Sequence, residues 1–295
     1  MLRALLLPLF FLSGGFFGQN LTSQDIIYKI EAVSTKHKFL EGPVWSAHDG
    51  YLLFSDVPSN KILKIDTKGI TLFREQSGGA SGNAFDDKGR LYTCETRARR
   101  VVRTDKKDKI EVLADQFDGK KLNGPNDIVV TKNEQVFFTD PAFGSAVEVR
   151  ELPFYGVFHI SAKGVVSAAV KLQTRPNGLA LSPDGATLYV SNSDERNVRA
   201  YDVNKDGALS NERMFVPKTE GVPSGLEVDE KGNVYVAASE IGVFTPEGQK
   251  TAVIHVADKP SNMVFGDGDL HSLYVTARST LYRVKFDTVK GAALY

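Results

Sequence analysis

Apolar and polar positions along this chain alternate in short runs, not at the three-and-four spacing of an amphipathic helix. Val136-Phe137-Phe138-Thr139-Asp140, Leu188-Tyr189-Val190-Ser191-Asn192 and Val234-Tyr235-Val236-Ala237-Ala238 are typical, and Asp-Gly and Lys-Gly pairs punctuate them. Short β-rich runs bounded by turn residues predict antiparallel strands. The runs also recur as a unit. Pro125-Asn126-Asp127-Ile128-Val129-Val130, Pro176-Asn177-Gly178-Leu179-Ala180-Leu181, Pro223-Ser224-Gly225-Leu226-Glu227-Val228 and Pro260-Ser261-Asn262-Met263-Val264-Phe265 share one pattern. Each leads through a turn into a second run. Upstream copies read Leu40-Glu41-Gly42-Pro43-Val44-Trp45 and Ala80-Ser81-Gly82-Asn83-Ala84-Phe85.

Six copies, anchored at positions 41, 81, 126, 177, 224 and 261, are spaced as four-stranded propeller blades are. Two further runs follow in each copy, for example Lys61–Ile65 with Ile70–Phe73, and Val198–Asp202 with Arg213–Val216. The last copy stops after its third strand, 280–286, while a spare strand, Ile26–Val33, precedes the first. Pairing the two closes the ring and covers an open strand edge. The pattern predicts an all-β, six-bladed β-propeller in one domain, residues 20–295, ahead of a pair of β-sandwiches.

Residues 1–19 read as a secretory signal peptide. One positive charge at Arg3 precedes an apolar stretch, Ala4–Leu12, and small residues at Ser13-Gly14-Gly15 suit a signal peptidase. The run is shorter than the roughly 20 apolar residues that span a bilayer. A secreted or periplasmic protein with no membrane span is expected after cleavage.

In a propeller, the first strand of each blade lines the channel and the second returns beside it. The residues at the start of the first strands are Glu41, Ser81, Asn126, Asn177, Ser224 and Ser261, and those ending the second are Asp56, Glu95, Asp140, Asn192, Ala238 and Ala277. A ring of such oxygen donors at one mouth suits a hard divalent cation such as calcium. The five histidines lie outside both columns and lack HExxH spacing, and a single cysteine, Cys94, excludes disulfide frameworks and Cys-based zinc cages. Asp202–Gly207 resembles the start of an EF-hand loop, but Arg213 stands at its twelfth position; a hairpin turn is expected there.

Glu41-Gly42-Pro43-Val44-Trp45, Asn126-Asp127 followed by Phe138-Thr139-Asp140-Pro141, Arg175-Pro176-Asn177-Gly178, Ser191-Asn192-Ser193 and Gly89–Glu95 resemble the family of gluconolactonases, regucalcin (senescence-marker protein) and luciferin-regenerating enzyme. The resemblance implies one divalent metal, commonly calcium, and hydrolysis of lactones or related esters. It places Glu41, Asn126 and Asn177 at metal-ligand positions, and Ser81 where many bacterial members carry a substrate-contacting Asn. Asp127 and Arg97 are further candidates for substrate contact. The departure is Ser224, where the family has a metal-binding catalytic Asp. A hydroxyl ligates calcium weakly and is no base at neutral pH without help. Asp140 and Glu95 are the spare carboxylates that could replace that base, or else strand-end acids paired with Arg97, Arg99 or Arg100.

The expectation is an exported, calcium-dependent lactonase-like hydrolase acting on a small lactone or ester. Its alternative is a catalytically impaired propeller serving as a binding or scaffold module. The 36 basic and 36 acidic residues balance to zero net charge, so no basic field favours nucleic acid.

Overall fold

The computed structural model describes residues 28–293; the expected signal peptide lies outside them. Six four-stranded antiparallel sheets follow one another along the chain. The first blade takes Leu40–Ser46, Tyr51–Asp56, Lys61–Asp66 and Gly69–Glu75. The second takes Ala80–Phe85, Leu91–Glu95, Arg100–Thr104 and Ile110–Ala114, and the third Ile128–Val130, Val136–Asp140, Tyr155–Ile160 and Val166–Leu172. Pro176–Leu181, Thr187–Asn192, Asn197–Val203 and Leu209–Val216 form the fourth. Leu226–Val228, Val234–Ala237, Ile241–Phe244 and Lys250–Ile254 form the fifth. Pro260–Gly266, Ser272–Ala277 and Thr280–Phe286 are completed by Tyr28–Ser34. That strand pairs antiparallel with the last one, Tyr28 opposite Phe286 and Ala32 opposite Tyr282, so the ring closes as the strand count requires.

Packing explains why these short strands hold together. Each inter-blade interface carries its own apolar cluster: Leu53 and Ile62 meet Phe85 and Leu91 between blades one and two, and Tyr92 and Val101 meet Phe138 and Phe158 between two and three. Phe137 and Val157 meet Leu188 and Tyr201, then Tyr189 and Phe215 meet Val234 and Val236. Tyr235 and Ile241 meet Phe265 and Phe286, and the ring ends where Leu40 and Phe54 meet Tyr274 and Leu281. Burial of such side chains stabilises by about 1.5–3 kcal/mol each. The outermost strands are partly solvated, with only half-buried and exposed positions along Val166–Leu172.

The segment after Asp202 is a hairpin turn, in which Gly207 N–H donates to the Asn204 carbonyl at 2.9 Å, while Asp202 accepts from Arg213 at 2.7 Å. Cys94 is buried among apolar residues. Trp45 packs within its layer, stacked on Tyr274 with ring centroids 6.3 Å apart. No helix among the described residues is long and apolar enough to cross a membrane.

Candidate active site at the channel mouth

The site begins with a defect that the sheets share. In the first strands of blades one, two, four and six, the register slips between Glu41 and Val44, Ala80 and Asn83, Pro176 and Leu179, and Pro260 and Asn262. A bulge bends the strand and re-aims its side chains. In blades three and five, Asn126 and Ser224 stand just ahead of the strand, held by N–H donation to the Thr139 and Ala237 carbonyls at 2.8 Å. All six anchors therefore sit at one level.

Hydrogen bonds between blades fix that level. Gly82 N–H donates to the Asn126 carbonyl at 2.7 Å, Gly178 N–H to the Ser224 carbonyl at 3.1 Å and Gly225 N–H to the Ser261 carbonyl at 2.7 Å. Buried hydroxyls add to them: Thr139 Oγ1 donates to the Asn177 carbonyl at 2.6 Å, Ser191 Oγ to the Ser224 carbonyl at 2.6 Å and Ser261 Oγ to the Leu40 carbonyl at 2.7 Å. The donors approach this closely because the residue after each anchor is Gly42, Gly82, Gly178 or Gly225 in four blades. Gly42 holds φ at +47°, a region that side chains disfavour. The other two blades carry Asp127 and Asn262. Asn262 hydrogen-bonds both Asp127 and Glu41, so these side chains close the neck of the channel beneath the anchors.

Glu41 is the one formal charge among the anchors. It is 8% exposed, and burial followed by repulsion from Asp127 pushes its pKa up to about 8, partly offset by hydrogen bonds from Gly42 N–H and Asn262. None of the groups acting on it is cationic. The Asn177 amide donates through Nδ2 to Ser193 Oγ at 3.0 Å, and that hydroxyl donates to the Pro223 carbonyl at 3.1 Å. This commits one of the amide's two N–H donors and leaves its oxygen able to ligate a cation. Asn126 and Ser224 are half-buried. Among the described residues no three His, Cys, Asp or Glu side chains group closely enough to hold a metal. A cation here would draw on amide and hydroxyl oxygens around one carboxylate, a donor set that fits a hard ion such as calcium. The buried Glu41 carboxyl, with no cationic group acting on it, is the structural sign of that fit.

The second column does not join the first. Asp140 is fully buried and accepts N–H groups from Asn123 and Gly124, both at 2.7 Å; burial raises its pKa to about 6. Glu95, 2% exposed, is bound by Arg100 at 2.6 Å. Asp56 accepts from Lys38 and Phe39 N–H at 3.3 Å. Asn192 accepts from Asp194 and Glu195 N–H. The reason is the pairing: Asp56 lies opposite Leu40, Glu95 opposite Ala80 and Asn192 opposite Pro176, and cross-strand partners share a face. Leu40 and Ala80 point into inter-blade cores, so their partners turn away from the channel and cap loops. Asp140 and Glu95 are thus placed as structural acids, and the general-base role considered for them finds no free oxygen on Asp140.

The remaining candidates fall at three depths. Ser81 is buried at the anchor level, and Arg97 is exposed on the rim, its guanidinium 3.5 Å from the Val57 carbonyl. Asp127 lies in the neck, where its oxygens accept from Ile128 and Leu179 N–H, each at 3.1 Å. Burial lifts it to about 6. Asn262 and Ser193 were not singled out from the sequence. The residue after each anchor was the available signal for Asn262, reading Gly, Gly, Asp, Gly, Gly, Asn round the ring. Beside Asn177, Arg175 pairs with Asp194 at 3.0 Å and lies over the Phe143 ring at 5.2 Å.

Fold and mouth define a class: a six-bladed propeller with an oxygen-donor ring at one end of its channel. A family model described as the SMP-30/Gluconolactonase/LRE-like region matches residues 39–279, and this chain belongs to that family. It is 30% identical to a gluconolactonase of Zymomonas mobilis over 90% of this chain and 83% of that protein. It is 26% identical to the pentonolactonase XacC of Haloferax volcanii over 83% of each. Among solved structures, a gluconolactonase from Xanthomonas campestris superposes with a TM-score of 0.81 at 27% identity, covering 88% of this chain and 90% of the other.

Proposed function

We propose that this protein is a lactone hydrolase that opens a sugar lactone or related cyclic ester at the channel mouth with one divalent cation, calcium in the first instance. Its support is membership of a family whose relatives bear lactonase names. The observation that carries the cation is Glu41, a buried carboxyl on which no cationic group acts, in the anchor ring that also carries Asn126 and Asn177. Glu41, Asn126 and Asn177 would hold the ion, with Ser224 as a weak fourth donor. When bound, such an ion polarises a carbonyl and acidifies water. The chain's own residues do the rest. Ser193 orients the Asn177 amide, Asn262 orients Glu41, and exposed Arg97 would meet the hydroxyls of a polar ring.

Ser224 favours a second reading, a propeller that binds its ligand but turns it over poorly, since among the six anchors Glu41 is the one carboxylate. Calorimetric titration of calcium into wild type, Asn177→Ala and Ser224→Asp tests the ion site. Binding to wild type that Asn177→Ala weakens at least tenfold is expected. Equal binding by both would remove Asn177 from the site. Export is part of the same proposal and rests on residues 1–19; N-terminal sequencing of the mature chain checks it.

A further inference from the structure

Beneath the neck formed by Asp127 and Asn262, the channel widens into a cavity of about 420 Å³, the size of a small-molecule pocket. It lies on the far side of that neck from the mouth. Its outer end is flanked by exposed His48, Asp87 and Ala293. Three residues beyond each anchor, the first strands present Val44, Ala84, Val129, Ala180, Glu227 and Val264, and all six line this cavity. Five are aliphatic and one is a carboxylate.

That carboxylate has no counter-charge. Lys and Arg are absent from the lining, and His48 pairs with Asp49 at 2.8 Å. The other lining acids are engaged or peripheral: Asp127 accepts two backbone N–H groups, Asp86 holds Arg90 at 2.6 Å, and Asp87 is exposed. Glu227 accepts only backbone N–H groups, Val228 at 2.9 Å and Phe265. A lone carboxyl group among aliphatic walls keeps its charge only when something cationic pairs with it. A ring-position equivalent that is Val or Ala in every other blade shows that the fold itself asks for no charge there.

We propose that the lower channel is a second ligand site, for a small organic cation: an amine whose ammonium pairs with Glu227 and whose hydrocarbon body fills the aliphatic ring. Burial of that body contributes about 25 cal/mol per Å², and the charged hydrogen bond to Glu227 gives the preference for a cation over its neutral counterpart. The site is distinct from the mouth and does not rest on the lactonase reading.

The test uses the full chain saturated with calcium, so that the mouth is constant. Cyclohexylammonium and cyclohexanol are compared by calorimetry and by the shift in melting temperature. Wild type should bind the amine at least tenfold more tightly than the alcohol, and Glu227→Gln should erase that preference. Ala84→Leu, which fills the ring while keeping the carboxylate, should weaken amine binding tenfold or more, and serves if Glu227→Gln fails to fold. Absence of binding, equal binding of amine and alcohol, a preference that survives Glu227→Gln, or amine binding unaffected by Ala84→Leu would overturn the proposal. So would displacement of the amine by millimolar calcium or potassium, because the occupant would then be an inorganic ion.

Discussion

At the scale of single residues, charge and its partners separate ligands from props. Glu41 and Asp140 are both buried carboxylates with raised pKa values, yet only Asp140 has both oxygens committed to backbone N–H groups. Asp140→Ala leaves those two buried donors unpaired, at about 1–3 kcal/mol each. Thermal unfolding of that variant should show a clear loss of stability, while calcium binding by the folded fraction persists. Ser224→Asp should act oppositely, since a second carboxylate at the anchor level strengthens a calcium site; titration should find affinity raised roughly tenfold. Glu227 adds a pH signature. Burial, with Asp127 nearby, lifts it from 4.5 to about 8. The folded protein keeps a proton that the unfolded chain releases, so this residue's contribution to stability falls as pH rises from about 4.5 to 8. In melting curves across that range, Glu227→Gln should gain on wild type as pH rises.

Single strands show how much of the site was legible in the sequence and how much was not. The anchors were readable because each precedes a run of the same pattern. The fate of the second column was not: placing Glu95 and Asp140 at the mouth assumed that strand ends share a direction. Pairing with Ala80 turns Glu95 toward the inter-blade layer instead. The neck, too, needed the bulge of blade six and the segment just ahead of blade three's first strand to bring Asn262 and Asp127 to one level. Gly178 marks what such bulges require. A Cβ there would stand 2.7 Å from Gly225 Cα and inside contact with the Ser224 carbonyl oxygen, neither of which is a movable side chain. Gly178→Ala should cost about 1–3 kcal/mol and loosen the Asn177 anchor, visible as a lower melting temperature together with weaker calcium binding.

Over the whole molecule, the periodicity of the chain and the closure of the ring are one fact. A strand from the start of the described chain completes the last blade, so each interface, including that between the last blade and the first, has its apolar cluster. Removing residues through Ser34 leaves Thr280–Phe286 as an exposed edge; the truncated chain should melt about 10 °C or more lower and associate on size exclusion. The closed ring also holds the mouth and the lower cavity apart, with Asp127 and Asn262 between them. Catalysis is assigned to the mouth. Its most direct measurement is the rate of hydrolysis of a panel of aldonolactones by wild type and Asn177→Ala, each with calcium and after chelation. Wild type should open at least one lactone, lose that activity on chelation and regain it with calcium, and Asn177→Ala should be slower at every concentration. Hydrolysis that neither chelation nor Asn177→Ala changes would contradict it.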